Sequence, residues 1–406
     1  QKQVSLCYKK LSMSKKNSSV ILKKGFKGFS DLSKTFFEFK KKFNYLKQNT
    51  YVVAVSGGPD SLALAALTRA LSFERKIKFY YVLVNHNLRK DSSKEAILVK
   101  KLLKAGAEVH VFDMIPLEKA YRLKEFSNNK NLIYTKGDLR SKSQIKSWYQ
   151  NDASHLYHLA SVVGVENYMS DPLALIDIVV GGSRNLFELA ATNNTRIIFT
   201  STSEVYGKNP QTPWEESFDR VLGPTSIDRW SYSSSKAVCE HMLFALKKSH
   251  GLNFTILRFF NVYGPSQAPI FVVSKSIHNI LNQKAPLLYD SGKQTRCFTF
   301  VEDAIEGVLK ASINDNALSE VFNIGSNVET SMFELIKLIQ SITKVNISPK
   351  EFETNKEYGS VYEDIPRRIP NVEKAETLLD WKANTSLEDG LKLCINWSKV
   401  NEWWLK

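Results

Sequence analysis

Residues 196–207, RIIFTSTSEVYG, decide the fold class of this 406-residue chain. The stretch begins as an apolar run with β-branched and aromatic residues and ends in hydroxyl and carboxyl side chains. Runs of the same kind alternate with helical patterns along the chain, which predicts a parallel sheet with helices on both faces. The other runs are YVVAV (51–55), KFYYVLV (78–84), EVHVFDM (108–114), NLIYTKGDL (131–139), HLYHLAS (155–161) and FTILRFFN (254–261). The sequence therefore predicts an α/β protein with a doubly wound sheet, in which ligands bind at the carboxyl ends of the strands.

The positive charge is concentrated at the N-terminus. The formal net charge is +15, and residues 1–50 contribute +11 of it, through 13 Lys against Asp31 and Glu38. Lys mixed with Phe and Tyr can bind RNA through phosphate charge and base stacking, so contact of this basic extension with tRNA is one hypothesis. A solvated, partly helical extension is the alternative.

Cysteine usage and hydropathy bear on the setting of the chain. Cys7, Cys239, Cys297 and Cys394 are scattered without a C-x-x-C pair, which predicts a reducing, cytoplasmic setting and no structural metal site. No apolar run reaches the roughly 18 to 20 residues of a membrane span, so no membrane association is expected.

A series of motifs runs in order from about Gly106 to the C-terminus. The motifs are VHVFD ending at Asp113, KGDLR around Asp138, HLAS (158–161), STSEVYG (201–207), YSSSK (232–236), RFFNVYGP (258–265), QTRCFTFVEDA (294–304), FNIGS (322–326) and RRIPNVEKAETLLDW (367–381). This part resembles the extended short-chain dehydrogenase/reductase family, which contains NAD-dependent nucleotide-sugar epimerases, dehydratases and decarboxylases. The resemblance implies a Rossmann-like NAD-binding domain over residues 106–264 and a smaller α/β domain over residues 265–406, mainly for the nucleotide sugar.

The pair Tyr232 and Lys236 is the centre of the expected chemistry. The two residues are four apart and so lie on one face of a predicted helix. The ammonium of Lys236 favours the phenolate, which can take a proton from a sugar hydroxyl while hydride leaves for NAD. By resemblance, Ser203 is the hydroxyl residue that bonds the same sugar oxygen, and Glu204 completes the catalytic set.

The resemblance also carries binding roles to individual positions. Asn261 and Arg296 match positions that touch the nucleotide diphosphate, and Arg368 could hold a substrate carboxylate bidentately before it leaves as carbon dioxide. Simpler roles are open too: a turn for Asn261 and an ion pair for Arg368. The positions expected to contact NAD are Asp113, Asp138, Leu139, Leu159, Ala160, Ser161, Tyr232 and Lys236. The combination of STSEVYG and RRIP favours a UDP-glucuronate decarboxylase and overlaps with UDP-sugar 4-epimerases.

A different family is indicated by the stretch YVVAVSGGPDS (51–61). It reads as a strand, a glycine turn and a helix start, and VNHNLRKDSSKEA (84–96) follows one strand later. Residues 51–101 resemble tRNA(Ile)-lysidine synthases, a branch of the N-type ATP pyrophosphatases with a PP-loop. The resemblance implies ATP or pyrophosphate binding by Ser56, Gly57, Gly58, Asp60 and Ser61, where glycine amides, hydroxyls and a helix N-terminus can surround phosphate.

The two resemblances meet near EAILVKKLLKAGAEV (95–109), so residues 51–105 are expected to form a PP-loop-like segment ahead of the dehydrogenase-like part. Neither G-x-x-G-x-x-G nor G-x-G-x-x-G occurs in the chain. Losing two charge-assisted bonds to a pyrophosphate, about 1.5 to 3 kcal/mol each, weakens NAD binding roughly a hundredfold or more. If YVVAV is the central strand, the strands run NLIY, EVHVF, FYYVL, YVVAV, HLYHL, IIFTS, FTILR, one strand wider than usual. If FYYVL is central, Asp113 keeps its usual spacing.

Three functions follow from these observations. The first is an NAD-dependent UDP-glucuronate decarboxylase or UDP-sugar 4-epimerase, expected to act as a homodimer, with NAD binding impaired by the missing glycine turn. The second is an ATP-dependent enzyme of tRNA modification. The third is a folded chimera that catalyses neither reaction.

Overall fold

The computed structural model describes residues 50–52, 78–83, 108–114, 116–118, 128–129, 132–150, 153, 155–159, 161, 171–265, 267–352 and 365–406. Within these ranges no helix is long and apolar enough to cross a membrane. Several predicted features lie outside the described residues: the basic extension, the PP-loop residues Ser56, Gly57, Gly58, Asp60 and Ser61, and Ala160.

Two four-stranded parallel ladders form the main sheet region. The first runs β1 (Thr50–Val52), β2 (Lys78–Leu83), β3 (Glu108–Asp113), β4 (Leu132–Lys136). The second runs β12 (Glu320–Ile324), β7 (Phe254–Phe259), β6 (Arg196–Thr202), β5 (His155–His158). Because every pair is parallel, the carboxyl ends of neighbouring strands lie at one edge of each ladder.

The order within each ladder is the order predicted with YVVAV in the central position. Strand β5 lies beside both β1 and β2. Among the described residues no hydrogen-bonded ladder joins the two sets, and the pairing of YVVAV with HLYHL in one wide sheet stays a prediction. Strand β12 extends the second ladder beyond β7, a strand that the predicted order did not include.

Ten α-helices lie within the described residues. They are α1 (Lys142–Trp148), α2 (Pro172–Ile176), α3 (Ser183–Thr192), α4 (Arg229–His250), α5 (Val272–Leu281), α6 (Val301–Ile313), α7 (Met332–Thr343), α8 (Glu373–Leu379), α9 (Leu387–Val400) and α10 (Glu402–Leu405). A π-helical segment, Asp177–Gly182, joins α2 to α3, and short 3₁₀ helices span Ser203–Tyr206, Asp290–Gly292 and Asp315–Ala317.

Local sequence explains where the helices near the candidate site begin and end. Asp171 caps α2 by accepting the Ala174 N–H, and Pro172 fills the first helical position, where its missing N–H costs nothing. Helix α4 ends at Gly251, whose φ of 68° is a left-handed conformation that suits glycine. The 22 residues of α4 run from Arg229 to His250 without a break, so one helix carries both members of the predicted Tyr232–Lys236 pair.

The C-terminal part contains small sheets and a second core. Strand β8 (Val262–Tyr263) pairs with β11 (Thr299–Phe300), and β9 (Leu287–Tyr289) pairs with β14 (Lys350–Phe352). Strand β10 (Thr295–Cys297) lies between β13 (Glu329–Ser331) and β15 (Arg367–Arg368). The main core packs the second ladder against α1, α3, α4, α6 and α8, and the second core joins α5, α7 and α9.

The end of the chain contains two helices where the sequence pattern predicts one. The apolar periodicity of SLEDGLKLCINWSKVNEWW (386–404) predicts a single amphipathic helix, whereas the structure has α9 and α10, separated at Asn401. The Asn401 side chain donates to the Trp397 carbonyl. Such a local bond competes with continued helical bonding and explains the break.

Candidate active site

The segment that follows β6 delivers the predicted catalytic residues. Thr202 caps the 3₁₀ helix Ser203–Tyr206 by accepting the Glu204 N–H at 3.2 Å. Ser203 is almost fully buried, and the Glu204 side chain is 15% exposed. The quoted stretch therefore turns at the carboxyl end of a central strand and presents Ser203 and Glu204 there.

Helix α4 is hydrogen-bonded both to β6 and to the segment that follows it. The ammonium of Lys236, which is buried, donates to the Thr200 carbonyl at 2.8 Å and lies 4.7 Å from the centroid of the Phe199 ring. Ser233 donates to the Glu204 carbonyl at 2.6 Å. Tyr232 and Lys236 are on the same helix, as predicted, and Tyr232 is half-buried against the main core. The structure thus places the Tyr–Lys pair and the Ser–Glu pair in neighbouring elements.

A buried histidine lies behind the lysine. His158, at the end of β5, is hydrogen-bonded through Nε2 to Ser183 Oγ at 2.7 Å. Burial, and then the charge of Lys236, lower the pKa of His158 to about 3. His158 is therefore neutral at physiological pH, and its ring adds no second positive charge beside Lys236.

Three arginines surround the Glu204 carboxylate. Arg368 Nη1 lies 2.5 Å from Oε1, and Arg229 Nη2 lies 3.4 Å from Oε1 and 3.3 Å from Oε2. Arg296 faces Arg368 across the β10–β15 pairing, and its charge also acts on Glu204. These four residues, called the Glu204 cluster below, carry a formal charge of +2.

The charge balance of the Glu204 cluster fixes the protonation of Glu204. Burial by itself would raise the pKa of this carboxyl, but Arg229, followed by Arg368 and Arg296, lowers it to about 2. Glu204 is consequently a carboxylate throughout the neutral pH range. In the structure as it stands, Glu204 is an acceptor held by guanidinium groups.

The remaining predicted substrate residues lie beside the cluster. Arg296 donates to the carbonyls of Thr295 and Pro366, so its guanidinium is held by its own strand and by the residue before β15. Asn261 follows β7 with a φ of 35° and donates to the Cys297 carbonyl at 3.4 Å. Its turn conformation is the simpler role considered from the sequence, and its contact with a diphosphate stays a prediction.

The residues predicted to contact NAD lie at the carboxyl ends of three strands. Asp113 ends β3 and is buried, Asp138 and Leu139 follow β4, and Leu159 and Ser161 follow β5. The Asp138 carboxylate accepts both the backbone N–H and the guanidinium of Arg140. These hydrogen bonds lower its pKa. Asp138 is therefore already paired with its neighbour, and its role in cofactor binding stays a prediction.

Two features of the candidate site were not found from the sequence. Arg229 was not singled out, although its position three residues before Tyr232 places it on the same helical face. The second feature is a buried pair in which Arg258 on β7 bonds Glu240 on α4 through Nε at 3.1 Å and Nη2 at 2.7 Å. Since Glu240 is four residues after Lys236, this bidentate pair fixes the position of α4 against the sheet.

Two family models match the chain. The model of the GDP-mannose 4,6 dehydratase family matches residues 96–394. The chain belongs to this family. The model of the PP-loop domain matches residues 32–120, so both resemblances seen in the sequence are confirmed, and the two matches overlap over residues 96–120.

Curated relatives and solved structures agree with this family. The UDP-N-acetyl-alpha-D-glucosaminuronate decarboxylase of Bacillus cytotoxicus is 35% identical over 310 residues, which are 75% of this chain and 94% of that protein. UDP-glucuronic acid decarboxylase 4 of Arabidopsis thaliana is 30% identical over 300 residues, 73% of this chain and 64% of that protein. The crystal structure of a Thermotoga maritima UDP-glucose 4-epimerase with UDP-glucose has a TM-score of 0.68 at 26% identity, covering 79% of this chain and 99% of that one. The predicted doubly wound α/β fold is confirmed.

Proposed function

We propose that the chain is an NAD-dependent decarboxylase of a UDP-hexuronate. The observation that carries this proposal is the Glu204 cluster, where a carboxylate already contacts Arg368 beside the Tyr232–Lys236 helix. A guanidinium that binds one carboxylate can bind another, because its planar donors match carboxylate oxygens. The curated relatives named above are decarboxylases of sugar acids, which agrees with a substrate that bears a carboxylate.

The residues of the chain divide the reaction between them. Tyr232 takes the proton of the C4 hydroxyl and Ser203 hydrogen-bonds the same oxygen, while Lys236 keeps Tyr232 able to accept that proton. The product of C4 oxidation is a β-keto acid, in which the C5–C6 bond breaks, carbon dioxide leaves, and the electron pair left at C5 takes a proton from water. Arg368 holds the carboxylate until that bond breaks. Tyr232 returns its proton to the C4 oxygen when the ketone is reduced, so atoms and electrons balance.

The described residues fit a dinucleotide at the carboxyl ends of the strands. Asp113, Asp138 and Ser161 carry oxygen atoms there, of the kind that bind ribose hydroxyls and the amino group of adenine; Asp138 would exchange its pairing with Arg140 for the cofactor. A Cβ atom on Gly137 would lie 2.3 Å from the Phe112 ring. The backbone at Gly137, between β4 and Asp138, therefore packs closely against the Phe112 side chain. When bound, NAD supplies the acceptor and later the donor of the C4 hydride.

A direct assay tests this proposal. The purified chain is denatured and the supernatant analysed for NAD, and the native chain is incubated with UDP-glucuronate and added NAD. We expect carbon dioxide and a UDP-pentose, and we expect Arg368→Gln to abolish the release. Absence of NAD from the protein under every condition, together with no turnover, would refute the proposal. A C4 epimer formed without carbon dioxide would assign the chain to the epimerases instead.

A second activity is proposed for the N-terminal part because the PP-loop domain model matches residues 32–120. We propose that Ser56, Gly57, Gly58, Asp60 and Ser61 bind the phosphates of ATP and that the basic extension contacts tRNA. Pyrophosphate release from ATP that depends on both tRNA and lysine would support this activity. Release that is the same with and without tRNA would contradict the tRNA contact.

We further propose a cytoplasmic homodimer that forms through α2 and α4. These helices contact each other, and they expose Leu173, Ile176, Val238 and Phe244. Apolar residues exposed on paired helices favour association with a second copy. Light scattering should give a mass of two chains for the native protein. The double variant with Leu173→Asp and Val238→Asp should give the mass of one chain. A native protein with the mass of one chain would exclude the dimer.

A further inference from the structure

The two arginines that contact Glu204 do so differently. Arg229 is the first residue of α4, is 1% exposed and reaches both carboxylate oxygens. Arg368 comes from β15 in the C-terminal part and contacts only Oε1. Removing Arg368 from Glu204 would therefore leave both oxygens of Glu204 within reach of Arg229.

The positions of these arginines in the fold are also different. Arg229 lies three residues before Tyr232, and its guanidinium lies 5.7 Å from the centroid of the Trp230 ring. It is fixed to the helix that carries the Tyr232–Lys236 pair. Arg368 pairs in register with Arg296 on β10, on the side where the nucleotide sugar is expected.

A sugar carboxylate and Glu204 compete for Arg368 if the proposed function is right. Two carboxylates beside one guanidinium repel each other, and a buried carboxylate that loses its partner is strongly disfavoured. Binding of a sugar acid by Arg368 thus requires a second cation that keeps Glu204 paired. Arg229 reaches both oxygens of Glu204 within 3.4 Å and lowers the pKa of this carboxyl through its charge, so it satisfies that requirement.

We propose that Arg229 is a positioning residue that retains Glu204 as an ionised carboxylate while Arg368 transfers from Glu204 to the carboxylate of the substrate. This inference rests on the proposed decarboxylase function. It predicts that the preference for a sugar acid over the neutral sugar depends on Arg229, a residue that does not itself hold the sugar acid.

Calorimetric binding of UDP-glucuronate and UDP-glucose to the full chain tests this proposal without turnover. The native chain should prefer UDP-glucuronate by about tenfold or more, as expected for a charge-assisted pair. Arg229→Gln should lose most of that preference, because Arg368 then stays on Glu204. Arg229→Lys, which keeps the positive charge, should retain more of the preference than Arg229→Gln.

A double variant separates positioning from damage to the fold. Glu204→Gln combined with Arg229→Gln removes one negative and one positive charge, so the formal charge of the Glu204 cluster stays at +2. Because Arg368 then has no competing carboxylate, the preference for UDP-glucuronate should return, whereas damage to the fold would persist. Circular dichroism melting of each variant establishes that the proteins compared are folded.

The arms of the experiment distinguish this inference from the proposed function. If Arg368→Gln keeps the preference for UDP-glucuronate, Arg368 does not hold the substrate carboxylate and the proposed function fails with it. If Arg368→Gln loses the preference while Arg229→Gln keeps it, only the role of Arg229 is overturned. If the double variant stays as weak as Arg229→Gln alone, the transfer of Arg368 is overturned as well.

Discussion

Replacing Glu204 by Gln tests the electrostatics of the Glu204 cluster. The substitution keeps the size of the side chain and removes the charge that three arginines surround. The pKa of Glu204 is about 2, against an ordinary value of 4.5, and a tenfold change in a protonation equilibrium is worth about 1.4 kcal/mol. We therefore expect Glu204→Gln to lower the free energy of unfolding by about 3 kcal/mol at pH 7, within the range known for broken buried ion pairs.

The pH dependence of this loss provides the decisive assay. The pKa of Glu204 is lower in the folded chain than its ordinary value of 4.5 in the unfolded chain. The ionised Glu204 therefore makes its full contribution to the free energy of unfolding above pH 4.5, and this contribution is lost as the pH falls towards 2. Urea unfolding at pH 7, 5, 4 and 3 gives the difference in the free energy of unfolding between the native chain and the variant. This gap should be the same at pH 7 and 5 and should narrow below pH 4.5. A gap of equal size at pH 3 and pH 7, or no gap at pH 7, would refute the reasoning.

A matched control is available in the same part of the chain. Burial raises the pKa of Glu216, which means that ionised Glu216 opposes folding at neutral pH. Glu216→Gln should therefore leave the free energy of unfolding unchanged or raise it at pH 7, the opposite sign to Glu204→Gln. A loss of about 3 kcal/mol in both variants would point to a general effect of the substitution.

Three further predictions concern catalysis, backbone conformation and buried charge. Tyr232→Phe should lower kcat by at least about a hundredfold and leave the calorimetric affinity for the UDP-sugar within about twofold; an unchanged kcat would remove Tyr232 from the chemistry. Gly207→Ala should lower the free energy of unfolding in urea by more than about 2 kcal/mol, because a Cβ at Gly207 would lie 2.1 Å from the carbonyl oxygen of Val221. Gly251 also has a positive φ, but no atom lies within 4 Å of the place for its Cβ, so Gly251→Ala should lower the free energy of unfolding by only about 1 kcal/mol. Glu240→Gln should lower the free energy of unfolding by about 3 to 5 kcal/mol, because the ion pair of Glu240 is buried. Glu329 belongs to a more exposed ion pair, so Glu329→Gln should lower the free energy of unfolding by less than about 1 kcal/mol. Equal losses in the two variants would contradict the importance of burial.

The strands and the helix that carries Tyr232 and Lys236 were predictable because their signals are local. Apolar runs such as RIIFTST formed β6 at the expected place, and the four-residue spacing of Tyr232 and Lys236 lies on one long helix. The strand order β4, β3, β2, β1 could be derived because parallel strands in a doubly wound sheet follow connection rules. Each of these inferences depends on neighbours in sequence or on general topology.

The partners within the site could not be predicted, because they depend on packing between distant segments. Arg368 and Glu204 are 164 residues apart, and a sequence does not reveal that one would contact the other. Arg229 was missed because an arginine at the start of a helix is common on exposed surfaces, and only the fold shows that it is buried. The break at Asn401 was missed because a side-chain bond to the preceding turn overrides the apolar periodicity.

The most direct test of the proposed reaction follows the carboxyl carbon of the substrate. The full chain is incubated in D₂O with NAD and UDP-glucuronate labelled with ¹³C at C6, and the products are observed by NMR. Decarboxylation predicts labelled carbon dioxide or bicarbonate, together with an unlabelled UDP-pentose that carries deuterium at C5. A labelled UDP-sugar epimer, with the ¹³C still in its carboxylate, would contradict the assignment of this site as a decarboxylase.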